Sequence, residues 1–130
     1  MTRVYLDPAT AVIENGGAAD PGSLRSLRYL VEAGHRVVLV ADRQEPPTEL
    51  AALADDVVRS VPARPDGQSW YLTADVSHCQ GASARLRTVL IGGTPPSGSI
   101  HRCDAVARDV QAAVMEILAA EAMPAEVHTA

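Results

Sequence analysis

Val4-Tyr5-Leu6-Asp7-Pro8-Ala9-Thr10 is a short apolar run stopped by Asp-Pro. It reads as a buried strand with an abrupt end, because proline donates no ladder hydrogen bond and restricts the residue before it. Asp7 is thereby presented at a strand tip, either as a turn-former satisfied by nearby backbone N–H groups or as a nucleophile or ligand on a sheet edge. The next strong signal is Arg36-Val37-Val38-Leu39-Val40-Ala41-Asp42, a β-branched run of the kind buried on both faces of a parallel sheet. Between the two, Leu24, Leu27, Leu30 and Val31 recur at the helical period. Asp20 and Pro21 form the helix start and Gly34 its left-handed stop. Strand, helix and strand make a βαβ unit, so the strands run parallel and Asp7 and Asp42 emerge on one edge.

The remaining chain continues the alternation. Thr48 caps a short helix over 49–54, and 55–61 reads as a third strand. Ser69-Trp70-Tyr71-Leu72-Thr73-Ala74-Asp75 repeats the opening pattern, an apolar strand with an acid at its tip. A short helix over 77–86 and a strand over 87–91, stopped by Gly92 and Gly93, come next. A last helix over 105–120 carries Asp104 as its cap, and 123–130 is a low-order tail. The order predicts one α/β domain over 1–122, a three-layer Rossmann-like sandwich around a five-stranded, mainly parallel sheet.

Composition narrows the function. Apolar residues make up 47% but aromatics only 3%, with no Phe, so the core is aliphatic. A net charge of −5 weighs against a nucleic-acid binder, which normally shows a basic stripe, and the sequence has no basic cluster of the kind that holds a protein on anionic membranes. All 11 cationic side chains are Arg, so a Schiff-base or P-loop lysine is excluded. Cys79 and Cys103 form no CxxC pair, and His35, His78, His101 and His128 fall in no zinc pattern. With no apolar run near the ~20 residues of a membrane span and no leader pattern, the expectation is a cytoplasmic protein with free thiols.

Acids at three strand tips, Asp7, Asp42 and Asp75, repel one another unless paired, and a shared cation such as Mg²⁺ would answer that repulsion. Asp is also common at strand ends because it makes local turns. Both readings stand at this point.

The order of features resembles the haloacid dehalogenase (HAD) superfamily of Rossmann-like phosphohydrolases, from Asp7-Pro8-Ala9-Thr10-Ala11 through Leu72-Thr73-Ala74-Asp75 to the terminal helix. The resemblance implies that Asp7 is the nucleophile and a Mg²⁺ ligand, and that Asp75 is a second ligand. The phosphate cation would be Arg64, or else Arg59. By their own chemistry Gly92 and Gly93 either let a ligand approach closely at the sheet edge or form a plain turn after the strand. The departures are specific. Ala9 stands where the general acid and base belongs, Ala11 where the motif has Thr, and Ala41 where the second strand ends in Thr or Ser. A missing general acid or base costs ~10²–10⁴-fold, and a missing transition-state donor ~10²–10³-fold. The expectation is therefore a catalytically impaired binding, regulatory or assembly module. The alternative is a slow, Mg²⁺-dependent phosphatase with Asp7 as nucleophile and a water or His78 as proton shuttle. Residues 8–40 are too few for a helical cap domain, so the site is open, and the resemblance implies a homo-oligomer or protein partner there.

Overall fold

Parallel strands bury both faces, and the aliphatic runs found by periodicity do so here. The computed structural model describes residues 2–13, 18–41, 45–62, 67–79, 86–92 and 103–122. The strands are β1 (Arg3–Leu6), β2 (Arg36–Val40), β3 (Asp56–Val58), β4 (Ser69–Thr73), β5 (Leu86–Ile91) and β6 (Ala105–Ala107). They form one six-stranded sheet in the order β3-β2-β1-β4-β5-β6, every pairing parallel. The chain steps from β1 outward to β3, then returns past β1 and steps outward the other way. The strand order thus reverses between β1 and β4, the place where open α/β sheets leave a crevice.

Helices α1 (Pro21–Glu32), α2 (Thr48–Leu53) and α3 (Val110–Glu121) cover one face of the sheet. Leu27 and Leu30 of α1, Leu50 of α2 and Ile117 of α3 are sealed against Leu6, Leu39 and Leu72 of the strands. Each fully buried side chain of this kind contributes about 1.5–3 kcal/mol of transfer free energy. The opposite face carries a smaller cluster of Tyr5, Val38, Tyr71 and Leu86, against which Val40, Val58 and Val61 pack. Trp70 ties α3 to the sheet, its indole N–H donating to Glu121 Oε1 at 2.8 Å while Arg87 lies 5.3 Å over its ring.

The βαβ expectation and its caps hold. Asp20 Oδ2 accepts from the Ser23 backbone N–H at 3.0 Å and from its hydroxyl at 2.9 Å, with Pro21 in the first turn. At the other end Gly34 has φ +94°, its N–H bonded to Val31 and that of His35 to Leu30. This is the paired Schellman arrangement.

Four expectations need correction, the first being the cap of α2: Thr48 is its first residue, Pro47 holds the N-cap position and no side chain caps it. The sheet has six strands, not five, because Ala105–Ala107 pairs with β5 instead of opening the last helix. Asp109 therefore caps α3, its carboxylate accepting from Ala112 N–H at 2.8 Å, while Asp104 accepts from Thr88 N–H at 2.7 Å. The apolar stripe extended the helix too far because Val106 fits the period although it stands exposed on an edge strand. The helix expected over 77–86 is, among described residues, a single 3-10 turn at Val76–His78, and Leu86 already belongs to β5. Finally, Cys79 and Cys103 are not free: they form a disulfide with Cα atoms 4.8 Å apart. A separation of 24 residues conceals that proximity, because the crossover from β4 through β5 brings the two ends together. Closing such a loop removes about 3.5 kcal/mol of chain entropy from the unfolded state. Asp42 and the tail from 123 lie outside the described residues.

Gly34 has open space where a Cβ would sit, so the cost of substituting it is conformational alone. Gly34→Ala is expected to lower stability by about 1–2 kcal/mol, measured as a reduced urea midpoint with unchanged slope.

Candidate functional site

Asp7 extends the β1 ladder by one residue, its N–H donating to Leu72 O at 3.0 Å, and this sets it beside Thr73 at the tip of β4. The turn that follows is closed without its carboxylate: the N–H of Thr10 donates to Asp7 O at 3.0 Å and the Thr10 hydroxyl at 2.7 Å. The local turn-former reading of Asp7 therefore fails. The carboxylate instead points to the switch point and collects donors from 64–71 residues away: Tyr71 OH to Oδ1 at 2.7 Å, Thr73 Oγ1 to Oδ2 at 2.5 Å, and His78 Nδ1 3.1 Å from Oδ2.

Why those side chains converge follows from strand alternation. Tyr71 and Thr73 lie two residues apart on β4 and so project from the same face, and on the neighbouring parallel strand Asp7 is on that face as well. His78 comes from the 3-10 turn just past β4. Its Nδ1 is 2.8 Å from Thr73 Oγ1 and 3.2 Å from Tyr71 OH, its ring stacks on Tyr71 with centroids 5.9 Å apart, and its Nε2 is 3.6 Å from Asp75 Oδ2. An imidazole thus stands between the two carboxylates that were expected to share a metal ion.

The electrostatics of the cluster follow from these contacts. Burial, then the hydrogen bond it donates to Asp7 and the charge of that carboxylate, hold the Tyr71 phenol well above its ordinary value, so it remains a donor throughout the accessible pH range. Asp75 behaves differently. It is exposed, and its Oδ1 accepts from the Ser77 hydroxyl at 2.7 Å and the Ser77 backbone N–H at 2.9 Å, which together lower its pKa. Whatever stability this cap contributes is present above the ordinary carboxylate value and is lost as pH falls through the lowered one.

A cavity of about 360 Å³ opens beside the cluster, lined by Asp7, Arg59, Ser60, Tyr71, Ser77 and His78 among others. Its apolar wall is Val40 and Val61. Of the residues expected at the site, Asp7, His78 and Arg59 are therefore brought together. Asp75 adjoins through His78 but spends one oxygen on a local turn. Gly92 does not line this cavity; its φ of +68° and its N–H bond to Ala107 O at 2.8 Å belong to the turn out of β5. Arg64 and Gly93 lie outside the described residues.

Among solved structures, one superposes with a TM-score of 0.60 over 91% of this chain and 99% of its own length: D,D-heptose 1,7-bisphosphate phosphatase from Burkholderia thailandensis, 17% identical in sequence. The fold is HAD-like. No protein-family model and no curated protein matches the sequence. The HAD-like fold places the tip of β1 beside the switch point. It does not account for Tyr71 and Thr73, which sequence reading missed as partners of Asp7. The alternation in Ser69-Trp70-Tyr71-Leu72-Thr73 carried that signal, once β4 is known to lie beside β1.

Mg²⁺ requires six oxygen ligands in near-octahedral array at about 2.0–2.1 Å. Here both Asp7 oxygens already accept from protein donors, one Asp75 oxygen is used by Ser77, and a nitrogen base separates the two acids. Among the described residues no three His, Cys, Asp or Glu side chains converge as a metal-binding group. In this arrangement Asp7 and Asp75 do not face each other as paired oxygen ligands, because the His78 imidazole lies between them.

Hydrogen bonds to a charged group are worth about 1.5–3 kcal/mol each. Tyr71→Phe and Thr73→Val are each expected to lower stability by that amount, and in a double-mutant cycle each is expected to couple to Asp7→Asn by about 1 kcal/mol or more. Urea unfolding checks both. Separately, Ser77→Ala is expected to raise the Asp75 titration toward the ordinary carboxylate value, followed by carboxyl-carbon NMR.

Proposed function

We propose that this protein is a HAD-like binding module for a small phosphate-bearing or similarly anionic ligand, with catalytic power reduced or lost. The observation that carries the reading is the engagement of both Asp7 oxygens by the protein. Tyr71 donates to Oδ1, Thr73 donates to Oδ2 and His78 Nδ1 lies 3.1 Å from Oδ2, contacts that stabilise the carboxylate and lower its nucleophilicity. Ala9 supplies no general acid or base beside it, and Ala41 no hydroxyl at the end of β2.

Binding, by contrast, has its components. Arg59, Ser60, Ser77 and His78 offer donors around the cavity, and Val40 and Val61 offer an apolar wall for the body of the ligand. The fold neighbour is a phosphatase for a sugar bisphosphate, which supports an anion entering the same crevice. A cavity of about 360 Å³ is at the small end of ligand sites, in keeping with a phosphate group and a short attachment.

The alternative is a slow phosphatase with Asp7 as nucleophile. The proximity of His78 Nδ1 to Asp7, at 3.1 Å, favours it to the extent that an imidazole can carry a proton. One set of measurements separates the two. Inorganic phosphate is expected to bind without added Mg²⁺, and Arg59→Ala to weaken it roughly tenfold, the loss of one charge-assisted contact at an exposed side chain. Turnover of p-nitrophenyl phosphate with Mg²⁺ is expected to be no faster for the parent than for Asp7→Asn. Mg²⁺-dependent turnover that Asp7→Asn abolishes would establish the phosphatase instead.

A further inference from the structure

The residue that follows His78 is one half of the disulfide, and that adjacency has a mechanical meaning. His78 is held on one side by hydrogen-bond distances to Thr73, Tyr71 and Asp7. On the other side Cys79 is 8% exposed, and its sulfur is bonded to that of Cys103. Cys103 is itself fixed to the sheet. The next residue, Asp104, donates its N–H to Thr88 O at 2.9 Å and accepts from Thr88 N–H at 2.7 Å, so it is bolted to β5 through both groups. A continuous path therefore runs from β5 through Asp104, Cys103 and Cys79 to the imidazole that lines the cavity. Among the described residues, the backbone of the turn at Val76–His78 is bonded within the turn itself, Cys79 N–H to Val76 O at 3.1 Å and His78 N–H to Asp75 O at 3.0 Å, so beyond its side chains the sulfur bridge is its tie to the sheet.

We propose that the Cys79–Cys103 disulfide is a thiol-responsive latch on the candidate site: closed, it holds His78 against Asp7, and opened by a dithiol reductant it frees the His78 wall of the cavity. A thiolate of the reductant attacks Sγ of Cys103, the less buried residue of the pair. The protein S–S bond breaks, and Cys79 leaves as a thiolate that takes up a proton. The second thiolate of the reductant then displaces Cys103 Sγ, which is protonated in turn. The reductant becomes its own disulfide, and two electrons have passed to the protein. A cytoplasmic glutathione and thioredoxin pool would favour the open form, and an oxidising compartment the closed one. The effect on ligand affinity rests on the anion-binding reading above; the release of His78 does not.

The test compares oxidised protein, protein reduced with dithiothreitol, and Cys79→Ala/Cys103→Ala. Two readouts are used, the long-range ¹⁵N spectrum of the His78 imidazole and the dissociation constant for inorganic phosphate. Amide signals of β1 and β4 report whether the sheet is intact. If the variant does not fold, the same comparison is made with reduced parent protein in sucrose at low temperature, where burial is reinforced. Reduction is expected to shift the His78 ring signals while β1 and β4 stay in place, and to weaken phosphate roughly tenfold. His78→Gln in the oxidised protein is expected to weaken phosphate similarly. His78 signals unchanged after both thiols are shown free by alkylation would overturn the latch. So would shifted signals with phosphate affinity unaltered. Shifted signals in a protein that binds phosphate in neither state would support the latch and remove the anion-binding reading.

Discussion

A carboxylate placed at a sheet edge must find donors or a cation, and in this protein Asp7 finds donors. Its three partners all come from β4 and the turn that follows it, so the clamp sits across the single boundary at which the strand order reverses. Much else depends on that arrangement. It fixes the pairing of β1 with β4 at the end where no further ladder bonds can form, and it orients the Tyr71 ring that His78 stacks upon. It also settles the electrostatics of the crevice, because the negative charge of Asp7 is met by hydroxyl and imidazole groups of the protein itself.

The same interaction bears on chemistry. In phosphoryl transfer through an aspartyl intermediate, the nucleophilic oxygen has to be free to approach phosphorus, and the charge on the phosphoryl oxygens has to be met by cations. Here the oxygens of Asp7 are engaged, and among the described residues the cationic groups that face the cavity are Arg59 and, when protonated, His78. Such a set can hold an anion by charge-assisted hydrogen bonds.

That interface is lopsided. The three described α-helices share one face with Leu6, Leu39 and Leu72, whereas Tyr5, Val38 and Tyr71 face the other side, where the described segments are non-helical or a single 3-10 turn. Those segments include the turn bearing His78 and the stretch bearing Arg59 and Val61, which line the cavity. A site walled by connections instead of helices needs other means of fixing its geometry, and the disulfide next to His78 provides one.

The sequence by itself determined the α/β class, the first βαβ unit with both its caps, the parallel direction of the strands and the position of Asp7 at a strand tip. These are consequences of local rules, since apolar periodicity, Asx capping and the left-handed preference of Gly34 act within a few residues. It also pointed to Asp75, His78 and Arg59 as neighbours of the site. What the tertiary structure decided was what those groups do. Strand register brought Tyr71 and Thr73 to Asp7 across 64 and 66 residues of chain, the crossover brought Cys79 to Cys103 across 24, and edge pairing with β5 claimed Ala105–Ala107 from the helix. None of these contacts leaves a local mark, because a hydroxyl on a buried strand or a lone cysteine reads the same whether or not a partner waits opposite. Partner choice is fixed by strand order, and strand order is set by the packing of the whole sheet.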